Sequence, residues 1–161
     1  MNLKIKLIVR QAIIASLYVV LTIVNPFSYG NIQFRIAEVL VLLCFYRKDY
    51  MIGLIIGCFI ANLFSTMVIY DITLGVFATI ISVLAISFSK NIYVSAIFPI
   101  IFNGLIVGFE LYLAFELPFV ISALEVAFGE ATVIILGVIL FKLLERNSKI
   151  MFYITLDEKY N

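Results

Sequence analysis

The sequence contains no histidine. That removes the side chain that most often moves protons near neutral pH, and it excludes histidine-ligated metal centres. There are two cysteines, Cys44 and Cys58. Both lie inside apolar runs and read as small core residues rather than a disulfide. Nothing resembles the GxxxxGK[ST] loop, so the chain has no P-loop for ATP. Charge is also scarce: Asp, Glu, Lys and Arg make up 13% of the residues, with a net charge of +1. Basic clusters with interleaved aromatics, the footprint of a nucleic-acid surface, are missing. No nucleophile–base pair, metal cluster or cofactor motif emerges, so no cofactor is expected.

What is abundant is apolar surface. Hydrophobic residues are 65% of the chain, against about 45–50% in soluble domains. A fold of this size leaves much of its surface exposed, so one core cannot hide that excess; lipid can. Crossing the hydrocarbon core takes about 20 apolar residues. The stretches Leu7–Val24, Tyr50–Val68, Ile72–Phe88, Ile92–Tyr112 and Pro118–Leu144 meet that length. Phe34–Tyr46 is short and carries Arg35 and Glu38; it either begins below the membrane surface or extends back toward Asn31. Lys4, Lys6 and Arg10 before the first run mimic a secretory signal, but no small-x-small cleavage site follows, and the run reads as a retained first helix.

Six crossings with a cytoplasmic N-terminus place ten of the eleven basic residues inside, leaving only Arg35 outside, as the positive-inside rule favours. Five crossings would put the C-terminal charges outside. Tyr29, Tyr46, Tyr50, Tyr70, Tyr93 and Tyr112 fall at expected helix ends, as an interfacial belt requires. The expectation is therefore an all-α integral membrane protein with six transmembrane helices and both termini cytoplasmic. It forms one domain over residues 1–161, with 146–161 as a short cytoplasmic tail.

The outer half then holds polar groups that lipid tolerates poorly: Gln33, Arg35, Glu38, Asn62, Asp71, Asn103, Glu110, Glu125 and Glu130. An ionisable group at the bilayer centre costs at least about 2.5–3.5 kcal/mol on insertion scales, so such groups face one another or a wet cavity. Arg35 and Glu38 are three residues apart and share a face, either as a structural ion pair or as part of a site. Asn103, Val107 and Glu110 share another face. Asp71, Gly75, Ala78 and Ser82 form a small, polar stripe, and Gly53, Gly57 and Ala61 a ridge for tight helix packing. Glu130 sits near mid-membrane; Glu116 and Glu125 lie nearer the outer surface. Carboxylates, amides and one Arg among many aromatic residues suit a small, flat ligand with several hydrogen-bond donors.

The run Asn31-Ile32-Gln33-Phe34-Arg35-Ile36-Ala37-Glu38 resembles the I-Q-F-R-I-[SA]-E signature of the QueT family of queuosine-precursor transporters. Gly57-Cys58-Phe59-Ile60-Ala61-Asn62-Leu63 is similar to that family's G-C-x-x-A-N-L stretch. Asp71 with Gly75 and Ala78-Thr79, then Phe102-Asn103, Gly108 with Glu110, and Gly129-Glu130 follow in order, over roughly residues 10–140. The resemblance implies a substrate-binding S component of an energy-coupling factor (ECF) transporter. Such a subunit has six helices and works with a transmembrane T subunit and two ATPases. It implies a 7-deazaguanine base or queuine as solute, with Gln33, Phe34, Arg35, Glu38, Asn62, Asp71, Asn103, Glu110 and Glu130 as substrate-binding residues and Phe34 as a stacking partner. The A-x-x-x-A docking motif of S components is represented here by Ala12-xxx-Ser16 with Ala15 adjacent, a departure in which Ser replaces the second Ala. Two other readings stand beside this one. The first is the same architecture serving another vitamin or nucleobase; the second is a membrane-embedded enzyme using Glu130 as acid–base.

Overall fold

The structure is a computed structural model that describes residues 3–29 and 33–155. Asn31 and Ile32 of the signature, and Lys159 of the tail, lie outside the described residues. The described chain is all-helical: α1 (Leu3–Val24), α2 (Ile36–Tyr46), α3 (Met51–Asn62), α4 (Val68–Phe88), α5 (Ile92–Phe115), α6 (Phe119–Leu144) and α7 (Ser148–Thr155).

Four helices, α1, α4, α5 and α6, are long and apolar enough to cross a membrane. Their outward faces carry large apolar side chains such as Ile8, Phe88, Leu124 and Phe128. A water-soluble fold would bury that surface, and here it is a lipid-facing coat. The protein is a multi-pass membrane protein.

The expected span Tyr50–Val68 breaks. The helix ends at Asn62, and residues 63–65 tighten into a turn through bonds from Leu63 N–H to Ile60 O, Phe64 N–H to Ala61 O and Ser65 N–H to Asn62 O. Apolar residues continue past this point, with Leu63 and Phe64 exposed, so hydropathy gives no stop. The stop comes from Asn62, whose buried side chain turns to the Asp71 carbonyl.

Helix α2 is the shortest of the expected spans and the most central. It packs on α1, α3, α4, α5 and α6, and it buries Ala37, Glu38, Val41, Leu42, Leu43 and Cys44. It starts at Ile36 rather than extending back to Asn31, and residues 36–42 form a 3₁₀ helix before one α turn closes it. Runs of 3₁₀ beyond three or four residues are uncommon. This one is tolerated because its neighbours, not lipid, surround it. A 3₁₀ helix rises about 2.0 Å per residue against about 1.5 Å in an α-helix, so fewer residues cover more depth. Counting the extended residues 33–35, the segment to Tyr46 reaches about 30 Å end to end.

Close helix approach is written in small residues. A side chain at Gly57 would meet Tyr18 Cβ at 2.8 Å and the Ala15 carbonyl oxygen at 3.0 Å, so α3 rides directly on α1. Gly104 and Gly108 of α5 abut Ala123 and Ala127 of α6 in the same way, and α5–α6 is the most extensive helix pair. Gly129 presses on the backbone of Gln33, which brings the extended 33–35 segment against α6. The one-face expectations hold here: Asp71, Gly75, Ala78 and Ser82 are all buried, as are Asn103, Val107 and Glu110.

Candidate functional site: a buried polar cluster

Two irregular pieces of backbone meet at the centre of the site. Arg35 immediately precedes the 3₁₀ segment. Asp71 opens a π-helical turn, Asp71–Gly75, within α4; such turns insert an extra residue and are common at functional sites. Arg35 Nη2 and Asp71 Oδ1 are 2.8 Å apart, with side chains 6% and 1% exposed. Arg35 Nε donates to the Ser28 carbonyl at 3.1 Å, and its guanidinium sits 5.7 Å from the centre of the Tyr29 ring. The second Asp71 oxygen accepts from Ser65. Asn62 Nδ2 donates to the Asp71 carbonyl at 2.8 Å. The ion pair is thus enclosed and hydrogen-bonded on both sides, the condition under which a buried pair is tolerated.

The structure therefore gives Arg35 a partner other than Glu38, the neighbour that spacing suggested. Glu38 instead accepts a hydrogen bond from Tyr18 of α1, which is fully buried. Glu130 faces Glu38 and Asn103. Glu110 faces Asp71 across Gly75, where Asn62 Nδ2, Asp71 Oδ1 and Glu110 Oε2 all crowd within 4 Å of the missing Cβ position.

After these contacts, several buried atoms have no hydrogen-bond partner among the described residues: Gln33 Nε2, Glu38 Oε2, Asn62 Oδ1, both oxygens of Glu110, and Glu130 Oε1. They belong to five segments: the extended strand before α2, then α2, α3, α5 and α6. Leaving one buried polar atom unpaired costs about 1–3 kcal/mol. A fold that leaves such atoms on five elements is shaped for something other than itself. Charge points the same way. Arg35 is the only buried basic residue among those described, and Asp71 neutralises it. Glu38, Glu110 and Glu130 have only that same Arg35 as a buried cation near them among the described residues, and it is already paired with Asp71.

Eight of the nine expected binding residues are buried here: Gln33, Arg35, Glu38, Asn62, Asp71, Asn103, Glu110 and Glu130. Phe34 is not brought in with them. In extended backbone, successive side chains point to opposite sides, so Phe34 turns away from Gln33 and Arg35 and meets Phe128 edge-on at 6.5 Å. Of the expected docking residues, Ala12 and Ser16 are exposed on α1, whereas Ala15 is buried against Gly57.

Sequence reasoning overlooked Tyr18, Ser65, Ser28 and Asn25. Asn25 holds the Phe34 carbonyl and so fixes the strand that presents Gln33 and Arg35. Tyr18 had a signal: it is a tyrosine in mid-span, where Tyr29, Tyr46, Tyr50, Tyr70, Tyr93 and Tyr112 fall at expected helix ends.

The family described as QueT transporter matches residues 8–146. The chain belongs to that family. A curated relative, the queuosine precursor transporter QueT of Lactococcus lactis subsp. cremoris (strain MG1363), is 42% identical over 77 residues, which are 46% of this chain and 45% of the relative. The match therefore spans less than half of either protein. No solved structure matches. Membership of a transporter family leaves the membrane-enzyme reading of Glu130 without support, and the protein is a transporter-family member rather than an enzyme.

Proposed function

We propose that this chain captures a queuosine precursor, a 7-deazaguanine base or queuine, as the S component of an ECF transporter whose T subunit and ATPases supply the energy. The observation that carries the reading is the set of partnerless buried atoms on five elements. The base edge of a 7-deazaguanine presents N–H and NH₂ donors beside a carbonyl. A carboxylate accepts two parallel bonds from such an edge, and an amide donates to the carbonyl. Glu38 and Glu130 are the acceptors in this reading, with Asn62, Asn103 and Gln33 orienting the ring. Arg35 shapes the site through Asp71, and Glu110 is the counter-charge for a ligand that carries an aminomethyl cation. The curated relative's printed name supports the same solute.

The proposed topology has six crossings with both termini cytoplasmic, in one domain over 1–161 whose 146–161 segment is a cytoplasmic tail. The four long helices supply four crossings. Segment 33–46 has the reach of a fifth, and α3 with the turns beside it forms the sixth. The basic asymmetry supports this orientation. Partner docking falls to the outward face of α1 through Ala12 and Ser16, with Ala15 behind them packing on α3.

Isothermal titration of the detergent-purified protein with 7-deazaguanine bases, guanine and thiamine tests the solute. Tight binding of a deazaguanine and none of thiamine is expected. Well-folded protein that binds no deazaguanine would discard the assignment.

A further inference from the structure

The face of α1 away from the polar cluster carries a second feature. Lys6 and Arg10, four residues apart, lie on one side of the helix. They line a groove with Val9, Ile13, Ile14, Tyr50 and Tyr153, between α1, the start of α3 and α7. The walls are fixed. Tyr50 donates its hydroxyl to the Ile154 carbonyl at 2.8 Å, Arg47 Nη1 donates to the Thr155 carbonyl at 2.9 Å, and Met151 of α7 is fully buried. The guanidinium of Arg10 lies 5.9 Å from the Tyr50 ring centre. Among the described residues, no carboxylate pairs with Lys6 or Arg10; the nearby Asp49 is taken by Arg47.

This groove does not end at Ile13. Val9 and Ile13 also line an apolar trough that continues along α1 past Ala12, Ser16 and Leu17 to Val20. Small residues at 12 and 16 leave the trough as a shallow, open depression between the larger side chains. From Lys6 to Val20 the helix rises about 21 Å, more than one leaflet of a hydrocarbon core about 30 Å thick. Two unpaired cations at one end and an open apolar trough running along α1 match one amphipathic molecule.

We propose that this groove binds a single anionic phospholipid, with Lys6 and Arg10 taking the phosphate and one acyl chain lying along Val9, Ile13 and Val20. Arg offers a planar fork of donors to phosphate oxygens and Lys a compact charge, a complementary pair for one headgroup. The lipid covers Ala12 and Ser16, the face assigned above to partner docking, so partner and lipid compete for α1. The lipid site itself depends on no part of the solute reading.

Native mass spectrometry of the detergent-solubilised full chain, with palmitoyl-oleoyl phosphatidylglycerol or phosphatidylcholine added in equal amounts, tests this. The wild type should retain one phosphatidylglycerol in strong preference to phosphatidylcholine. Juxtamembrane cations favour anionic lipid additively, so the K6Q/R10Q double variant should lose about thirtyfold of that preference. Lys90→Gln, a cation outside the groove, should keep it. Ser16→Trp, which fills the trough, should abolish retention while the two cations remain. Equal retention of both lipids by the wild type, or equal loss in Lys90→Gln and K6Q/R10Q, would overturn the site. Loss of a co-purifying protein, rather than of lipid, in K6Q/R10Q would assign the groove to a protein and likewise overturn it.

Discussion

The two ends of this bundle treat charge in opposite ways. At one end, Arg47–Asp49 and Lys142–Glu145 are ion pairs between half-exposed side chains, the latter 2.9 Å apart. Asp49 lies in a single 3₁₀ turn and Lys142 in the last turn of α6, and water screens both pairs. At the other end, Arg35 and Asp71 are sealed from solvent, and the backbone around them departs from the α-helix: 3₁₀ on one side, π on the other. A surface pair forms between side chains that solvent reaches, whatever backbone carries them. A buried pair within lipid demands that backbone bend to meet it. The same end also holds Glu38, Glu110 and Glu130, which keep oxygens with no hydrogen-bond partner among the described residues. The difference separates groups that keep the molecule soluble at its interface from groups that prepare it for a ligand.

The contrast is sharpest in stability. Arg35→Met leaves Asp71 buried without a counter-charge, and breaking a buried pair by removing one partner costs about 3–5 kcal/mol. Thermal unfolding in detergent should show a large loss or no folded protein. Asp71→Asn should give a similar but smaller loss, because the amide oxygen still accepts from Arg35 while its NH₂ takes the place of the oxygen that faced Ser65. Replacing both, as R35M/D71L, should recover much of the stability of Arg35→Met. Equal damage in the single and double variants would refute the pair as the source of the effect.

Tyr18→Phe should come next. It removes the one protein donor to Glu38 while keeping the ring that fills the α1–α3 contact. A loss of about 1–3 kcal/mol is expected from the unsatisfied carboxyl, read by the same unfolding assay. Tyr93→Phe, on the exposed start of α5, should change nothing measurable.

Lys142→Ala marks the small end of the scale. Its side chain is 40% exposed, and exposed pairs contribute about 0–1 kcal/mol. A shift as large as that of Arg35→Met would erase the distinction between the two ends. Orientation is a separate check. In a background lacking Cys44 and Cys58, a cysteine at Lys90 should be hidden from an impermeant thiol reagent in intact cells, and one at Tyr29 should label. Labelling at 90 and not at 29 would invert the topology.

Much of this was legible in the residues, and what escaped did so for physical reasons. Long helices announce themselves through hydropathy, so α1, α5 and α6 lie within a few residues of where apolar runs place them. Hydropathy has no means of registering the stop at Asn62, because the residues after it remain apolar and exposed while the cause is a hydrogen bond to Asp71. Spacing put Glu38 beside Arg35, as an α-helix would. A backbone that is extended at Arg35 and 3₁₀ after it sends the guanidinium 36 residues along the chain to Asp71 instead. The membership of the polar cluster was readable, because charge within an apolar run has to be buried somewhere. Phe34 points away from Gln33 and Arg35 because extended backbone alternates faces, whereas the apolar segment Phe34–Tyr46 read as helix from its first residue.

The central claim is that Glu38, Glu110 and Glu130 are held for a ligand rather than for the fold, and Glu130→Gln tests it most directly. Thermal unfolding without ligand and titration with a 7-deazaguanine base are measured on the wild type, Glu130→Gln and, as a control, Glu125→Gln at a half-buried position outside the cluster. Glu130→Gln should be as stable as the wild type or more so, since it removes an uncompensated carboxyl, yet bind about 10–150-fold more weakly through loss of about 1.5–3 kcal/mol of charge-assisted bonding. Glu125→Gln should match the wild type in both. A Glu130→Gln protein that unfolds sooner and binds unchanged would show that the carboxyl serves the fold, and would contradict the account.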